Sequence, residues 1–297
     1  MRSKKTEEEP KKEEIPAPAA ATTAEAEVED ANLFAKLVAH YAKTLGLQRH
    51  RVEGLVANIT VKVGGGLVEL ADMGSSHTVL AHLRVPAHTR GEAGPYTVQL
   101  YLDRLEAALG EAEHMGGTLT LDGEKLTFTP RNHSYRKVEI GTVNGEADRA
   151  AFDRYVNFRF PPECEVVITA RQAQTLTRAA KSTMGYTTLK LDGDELSIHG
   201  KEKAGYAKVT PPARRLGGEG RPIAQMYRAI LVCMALSAPG AASYTISWAH
   251  GKPVEVVAHI PYAGRGAELR VVTAPVDYGE EEEEAEEETR SPHAEQG

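Results

Sequence analysis

Two stretches of the chain alternate apolar and polar residues in the same way. Residues 118–130 read TLTLDGEKLTFTP, and residues 188–200 read TLKLDGDELSIHG. In each, a period of two runs up to an Asp-Gly pair and resumes beyond it, the pattern of a β-hairpin closed by a tight turn. Leu119, Leu121, Leu126 and Phe128 define one apolar face, and Leu189, Leu191, Leu196 and Ile198 define the other. Each hairpin follows a short strand, Tyr96–Leu100 or Glu165–Thr169, and then a stretch with helical period. Leu102, Leu105, Ala108, Leu109 and Ala112 line a helix predicted over 101–115. Ala173, Leu176, Ala180 and Met184 line one over 169–184. Such spacings give each helix one core-facing stripe. The predicted unit is therefore strand, helix, hairpin, used at least twice, with neighbouring units burying their apolar faces together.

Composition changes the picture at the ends. Of the 297 residues, 1–30 are rich in Glu, Lys, Ala and Pro, and 280–297 carry a run of glutamates. Both read as disordered, because neither offers enough apolar surface to offset its ordering entropy. They also account for the charge. The formal net charge of −7 divides into −4 for 1–30, −8 for 280–297 and +5 for the part between. A mildly basic body admits a polyanionic partner.

Reactive constellations are scarce. Gly64-Gly65-Gly66 sits between strand-like runs and reads as a turn, since a phosphate loop needs a following Lys-Ser/Thr and a helix. Asp192-Gly193-Asp194-Glu195 is too short for a calcium loop. Ser75-Ser76-His77 lacks the glycine pattern of a nucleophile elbow. Cys164 and Cys233 form no metal or redox motif, the histidines show no ligand spacing, and no apolar run is long enough to span a membrane. No catalytic residue, metal or cofactor is predicted, and a binding function is favoured. One feature suits a polyanion. On the 169–184 helix, Arg171, Gln174, Arg178 and Lys181 form a polar face that no acidic residue interrupts. Contacts to a DNA backbone need positive charge and little geometry.

Three further segments carry a family resemblance. LADMGSSHTVLAHL (70–83), GKPVEVVAHI (251–260) and LRVVTAPVD (269–277), the last followed by acidic residues, resemble, in that order, stretches of the DNA sliding clamps of the proliferating-cell-nuclear-antigen type. The resemblance covers roughly residues 32–278. It implies an α+β fold of two similar clamp domains, each with two inner helices backed by antiparallel sheets, and a trimeric ring around double-stranded DNA. It implies a processivity factor without catalysis, intracellular at the replication fork, tethering polymerase, clamp loader, ligase and nuclease.

Laid onto this chain, the resemblance gives a leader at 1–31, domains at 32–137 and 158–278, a connector at 138–157 and a tail at 279–297. Asn32–Val38 becomes the first strand and the first inner helix falls within about 41–57, although apolar periodicity alone starts a helix near Asn32. The fourth inner helix spans 222–237. The implied DNA-contacting residues are Lys43, Arg49, Arg51, Arg104, Arg171, Arg178, Lys181, Arg221 and Arg228. The 101–115 helix departs from the family in carrying Asp103, Glu106, Glu111 and Glu113. The implied partner-peptide pocket uses Met73, His77, Leu80, Pro253, Ala274, Pro275 and Val276. The implied subunit edges are Glu124–Pro130 and Ala204–Thr210. Alternatives are a subunit of a heterotrimeric checkpoint-type clamp, a scaffold that never meets DNA, and an enzyme whose site escapes the sequence.

Overall fold

The computed structural model describes residues 23–276, apart from 52–53, 111–115, 132–136, 184, 201–204 and 217–221. The chain runs through β1 (Ala24–Val28), α1 (Ala31–Thr44), β2 (Gln48–Arg51), β3 (Gly54–Gly64), β4 (Leu67–Met73), β5 (Val79–Pro86) and β6 (His88–Arg90). It continues with β7 (Ala93–Tyr101), α2 (Leu102–Gly110), β8 (Gly117–Leu121), β9 (Lys125–Pro130) and β10 (Val138–Glu146). Helix α3 (Arg149–Asn157) leads to β11 (Cys164–Thr169), α4 (Ala170–Lys181), β12 (Tyr186–Asp192), β13 (Glu195–His199), β14 (Ala207–Val209) and β15 (Ala213–Arg215). The last elements are β16 (Ile223–Arg228), α5 (Ala229–Ala235), β17 (Ser243–Trp248), β18 (Val254–Tyr262) and β19 (Arg265–Thr273).

This is one unit written four times: a strand, a helix and three antiparallel strands. The copies are β1-α1-β3-β4-β5, β7-α2-β8-β9-β10, β11-α4-β12-β13-β14 and β16-α5-β17-β18-β19. The twin sequences are the β8–β9 and β12–β13 hairpins, in the second and third copies. Strands β2, β6 and β15 and helix α3 are additions to the repeat. Most strands join one path, β15-β11-β17-β18-β19-β5-β4-β3-β7-β10-β9-β8-β1-β6, and β14-β13-β12-β16 form a separate sheet. The fourth unit meets the first where β19 pairs β5 over six residues, Glu268–Thr273 against Arg84–Val79.

Helices α2, α1, α5 and α4 contact one another in that order and form a row on one side of the sheets. Phe34, Leu37, Val38 and Tyr41 of α1, Leu102 and Leu105 of α2 and Leu176 of α4 are buried against Ile59, Leu83, Val98, Leu100, Ile168 and Ile246 of the strands. Burying each such side chain contributes about 1.5–3 kcal/mol relative to exposure. Thr169 starts α4 with a capping box: Gln172 N donates to the Thr169 hydroxyl, and Thr169 N donates to Gln172 Oε1.

Several boundaries differ from the sequence reading. Residues 24–28 lie within the fold. Ala24, Ala26 and Val28 alternate into the core and pair with β8, while Glu25 and Glu27 point outward. Alanine fills a close strand contact as well as a larger residue fills a looser one, so poverty in large side chains does not mark this segment as outside the fold. Residues 32–38 are helical: Asp30 caps α1 by accepting from Leu33 N, and the helix ends at Thr44, well short of 57. The segment read as a connector begins as strand β10, paired to β7 and β9, and continues as α3. The fourth inner helix is only Ala229–Ala235, because the alternating stretch before it is strand β16. Strand β9 is flanked by both β8 and β10, so Glu124–Pro130 is no free edge.

Candidate functional site

The exposed side of the helix row collects the charge. In α4, Arg171, Gln174, Arg178 and Lys181 are exposed while Ala173, Leu176, Thr177 and Ala180 are buried, so the predicted stripe is a solvent-facing one. Helix α1 contributes Lys43 and also Lys36, which the sequence reading missed. With the helix placed at Ala31–Thr44, Lys36, His40 and Lys43 fall on one face at helical spacing. His40 Nε2 lies 2.9 Å from Met234 O and ties α1 to α5. Burial holds the imidazole below its ordinary range, which favours the neutral ring. Helices α1, α4 and α5 contain no acidic residue, and α2 carries Asp103 and Glu106.

The remaining predicted DNA contacts are scattered. Arg228 is exposed at the N-cap of α5, and Arg221 lies outside the described residues. Arg49 and Arg51 are exposed on strand β2, not on a helix. Arg104 starts α2, but its guanidinium stacks 4.4 Å from the centre of the Tyr101 ring. Asp103, the family departure, is structural: its Oδ2 accepts a 2.7 Å hydrogen bond from Leu55 N. Gly54 has φ +113°, and a Cβ there would sit 2.4 Å from that same oxygen, so the turn into β3 requires glycine.

The residues predicted to form the pocket do converge. On the side of the sheet away from the helix row, Met73, Leu80 and Val272 stand in register across β4, β5 and β19. Pro253 precedes Val254, which is paired with Thr273. Ala274 N donates to Thr78 O at 2.8 Å, and Val276 N donates to Met226 O at 3.0 Å. His77 is exposed at φ 56°, with Nδ1 3.3 Å from Met73 Sδ. Gly74 lets the loop fold tightly, since a Cβ there would meet Val79 Cγ1 at 2.7 Å and Leu45 O at 2.9 Å. Leu80 is 5 % exposed, so it floors the convergence more than it lines it.

Beneath this end of β4 lies a half-buried acid, Asp72. Tyr41 Oη donates to Asp72 Oδ2, as does Thr60 N, and Thr60 Oγ1 donates to Asp72 Oδ1. Burial nevertheless dominates and pushes the carboxyl up to about 6. Beside the apolar row, helix α3 covers the same face of β4 and β5 through buried Phe152. Arg270, 7 % exposed, pairs with Glu255 and donates to the carbonyls of Tyr155 and Phe158 where α3 ends. A cavity of about 400 Å³ under α3 is lined by Glu69, His82, Arg84 and Arg159 beside that pair.

Among the described residues no group of three His, Cys, Asp or Glu side chains could hold a metal ion, and no helix is long and apolar enough to cross a membrane. Cys164 and Cys233 are buried free thiols, and burial pushes Cys164 up to about 12.

No family model matches the chain, and no curated protein matches it. Solved structures do. The Proliferating Cellular Nuclear Antigen of Entamoeba histolytica superimposes with a TM-score of 0.63 at 13 % identity, covering 86 % of this chain and 99 % of that one. The chain has the fold of the PCNA sliding clamp. The PCNA2–PCNA3 complex of Sulfolobus tokodaii gives a TM-score of 0.61 at 13 % identity, covering 84 % of this chain and 98 % of that one. The α+β class, with two helix-backed halves, is thus that of PCNA over nearly its whole length.

Proposed function

We propose that this protein is a homotrimeric sliding clamp. It encircles double-stranded DNA and tethers replication and repair enzymes at the fork, inside the cell, without catalysing a reaction of its own. The observation that carries this reading is a mismatch of seams. The last strands of the first and fourth units, β5 and β19, pair within the chain. Among the described residues β14, the last strand of the third unit, has no such partner, and β10, the last of the second, is flanked by β9 and β7 except along its first three residues. Val138–Ile140 of β10 overhang the end of β7, and β14 pairs only with β13. Free edges invite pairing. Joining β10 of one chain to β14 of the next repeats the internal seam, and a head-to-tail contact of this kind closes into a ring when its rotation permits.

In that ring the helix row faces the hole, where its cations meet phosphates of any sequence. Linkage around the duplex, more than affinity, keeps the clamp in place. The convergence of Met73, His77, Leu80, Pro253, Ala274, Pro275 and Val276 suits a one-turn helix from a Gln-x-x-aliphatic-x-x-aromatic-aromatic segment. Such segments would come from polymerase, clamp loader, ligase and nuclease.

The same edges serve a heterotrimer, a reading kept in view by the PCNA2–PCNA3 complex among the similar structures. Sedimentation and electron microscopy of the pure protein separate these readings. A mass three times that of the chain and a ring with a duplex-wide hole are expected. A monomer that forms no ring on nicked circular DNA would overturn the homotrimer.

A further inference from the structure

Strand β2 has no counterpart in the repeat. In the other three units the helix runs directly to its hairpin, α2 to β8, α4 to β12 and α5 to β17, with no strand between among the described residues. In the first unit the chain leaves α1, reverses at Gly46 and lays Gln48–Arg51 along the start of β3 before entering it. The added strand carries Arg49, His50 and Arg51, all exposed, and is paired on one side only.

Its register fixes where the guanidinium groups point. Arg49 stands opposite Val56, and Val56 opposite Tyr101; Arg51 donates to Gln99 Oε1 at 3.2 Å, and Gln99 stands opposite Asn58. Tyr101 Oη is 2.9 Å from Thr142 Oγ1. Alternation puts all of these on the face of β3, β7 and β10 opposite the helix row, because Ala57, Ile59, Val98 and Leu100 take the other face. Arg104 lies over the Tyr101 ring at the same end. One face therefore carries Arg49 two strands from Tyr101, Arg51 on the Gln99 amide, and Arg104 over the Tyr101 ring. Two nearby acids are engaged: Asp103 accepts from Leu55 N, and Glu139 lies 3.6 Å from Lys125 Nζ.

We propose that this sheet face, built on β2, binds single-stranded DNA through its phosphates and an unstacked base. The proposal rests on the clamp reading and adds a second nucleic-acid contact outside the hole. The two surfaces differ in chemistry. Among the cations of the helix row the one ring described is the His40 imidazole, tied to Met234 O, which suits a duplex read through its backbone. The β2 face combines arginines, which hold phosphates with bidentate geometry, with an aromatic ring and amides that serve exposed bases. An acidic protein segment would find the arginines but no use for the ring.

The test compares full-length wild type, an R49E/R51E variant, an R49K/R51K variant and an R171E/R178E/K181E variant, each checked by circular dichroism. Fluorescence anisotropy is read with labelled oligothymidine, a labelled duplex and a labelled polyglutamate peptide. For R49E/R51E, oligothymidine affinity should fall at least tenfold and its salt slope should shrink by about 0.7 for each lost contact. Duplex affinity should change less than twofold, and R49K/R51K, which keeps the charge but not the bidentate fork, should fall between wild type and R49E/R51E in oligothymidine binding. The α4 variant should show the reverse pattern. Wild type that ignores oligothymidine, or R49E/R51E that binds it normally, overturns the proposal, as does loss of polyglutamate binding alone. An α4 variant that keeps full duplex affinity overturns the helix-row assignment instead and leaves the β2 result standing.

Discussion

Tyr41 Oη donates a 2.8 Å hydrogen bond to Asp72 Oδ2, so a helix of the row holds the end of a strand through a half-buried carboxyl. The folded-state value of Asp72, about 6, lies above the ordinary 3.8. A raised value means that this group's contribution to stability is fully present below about pH 4 and is lost as pH rises through about 6. The difference of about two units corresponds to about 3 kcal/mol. Asp72→Asn abolishes the titration. Relative to wild type, the variant should therefore gain stability by up to that amount between pH 4 and 7, measured by urea unfolding. A constant difference across this range would refute the assignment. Glu69 acts oppositely. The His82 imidazole 3.4 Å away holds it below its ordinary range, so its contribution is lost only as pH falls further.

Arg270→Met should loosen the end of α3. The substitution leaves Glu255 without its partner and the carbonyls of Tyr155 and Phe158 without their donor. Breaking one side of a largely buried pair costs about 3 kcal/mol. Adding Glu255→Gln should recover part of that. Limited proteolysis should cut the variant faster within residues 147–163, with cleavage in the strand core unchanged.

Truncation at the convergence of β5 and the tail should weaken partner binding. Leu80→Ala and Val276→Ala should each cost about 1–3 kcal/mol of affinity for a Gln-x-x-aliphatic-x-x-aromatic-aromatic peptide. Val276→Ala should leave thermal stability unchanged, whereas buried Leu80→Ala should also lower it. Calorimetry and melting curves separate the two effects, and normal peptide binding by both variants would move the docking site elsewhere.

Lys36 provides a test of the helix row that does not depend on α4. Lys36→Glu together with Lys43→Glu should reduce the duplex salt slope by about 0.9 for each lost contact, on any sequence. Sedimentation should be unchanged. An unaltered slope would mean that α1 does not face the duplex.

Legibility from sequence followed local signal strength. The two Asp-Gly hairpins and the α4 stripe were readable because alternation, turn chemistry and helical period agree within a dozen residues. Helix α1 was legible only in its apolar periodicity, which starts it near Asn32; its cap, Asp30, is a finding of the structure. Shifting that helix to about 41–57 displaced Lys36 from view and put Arg49 and Arg51 on the wrong kind of element. Strand β1 escaped because Ala24 and Ala26 carry little hydrophobic signal, and their burial depends on β8 arriving from more than ninety residues away. The Met73–Leu80–Val272 row depends on pairing between distant segments, which no local pattern encodes.

The unequal seams have a mechanical meaning for the proposed ring. Within each chain the halves are zipped by six consecutive residue pairs and braced by His40 against Met234. Between chains, the proposed seam would set three-residue β14 against the three-residue overhang of β10. Tension on such a circle concentrates at its narrowest stitches. It would part between subunits before either half yielded, so in the proposed ring the shorter seam would be the place where the circle opens.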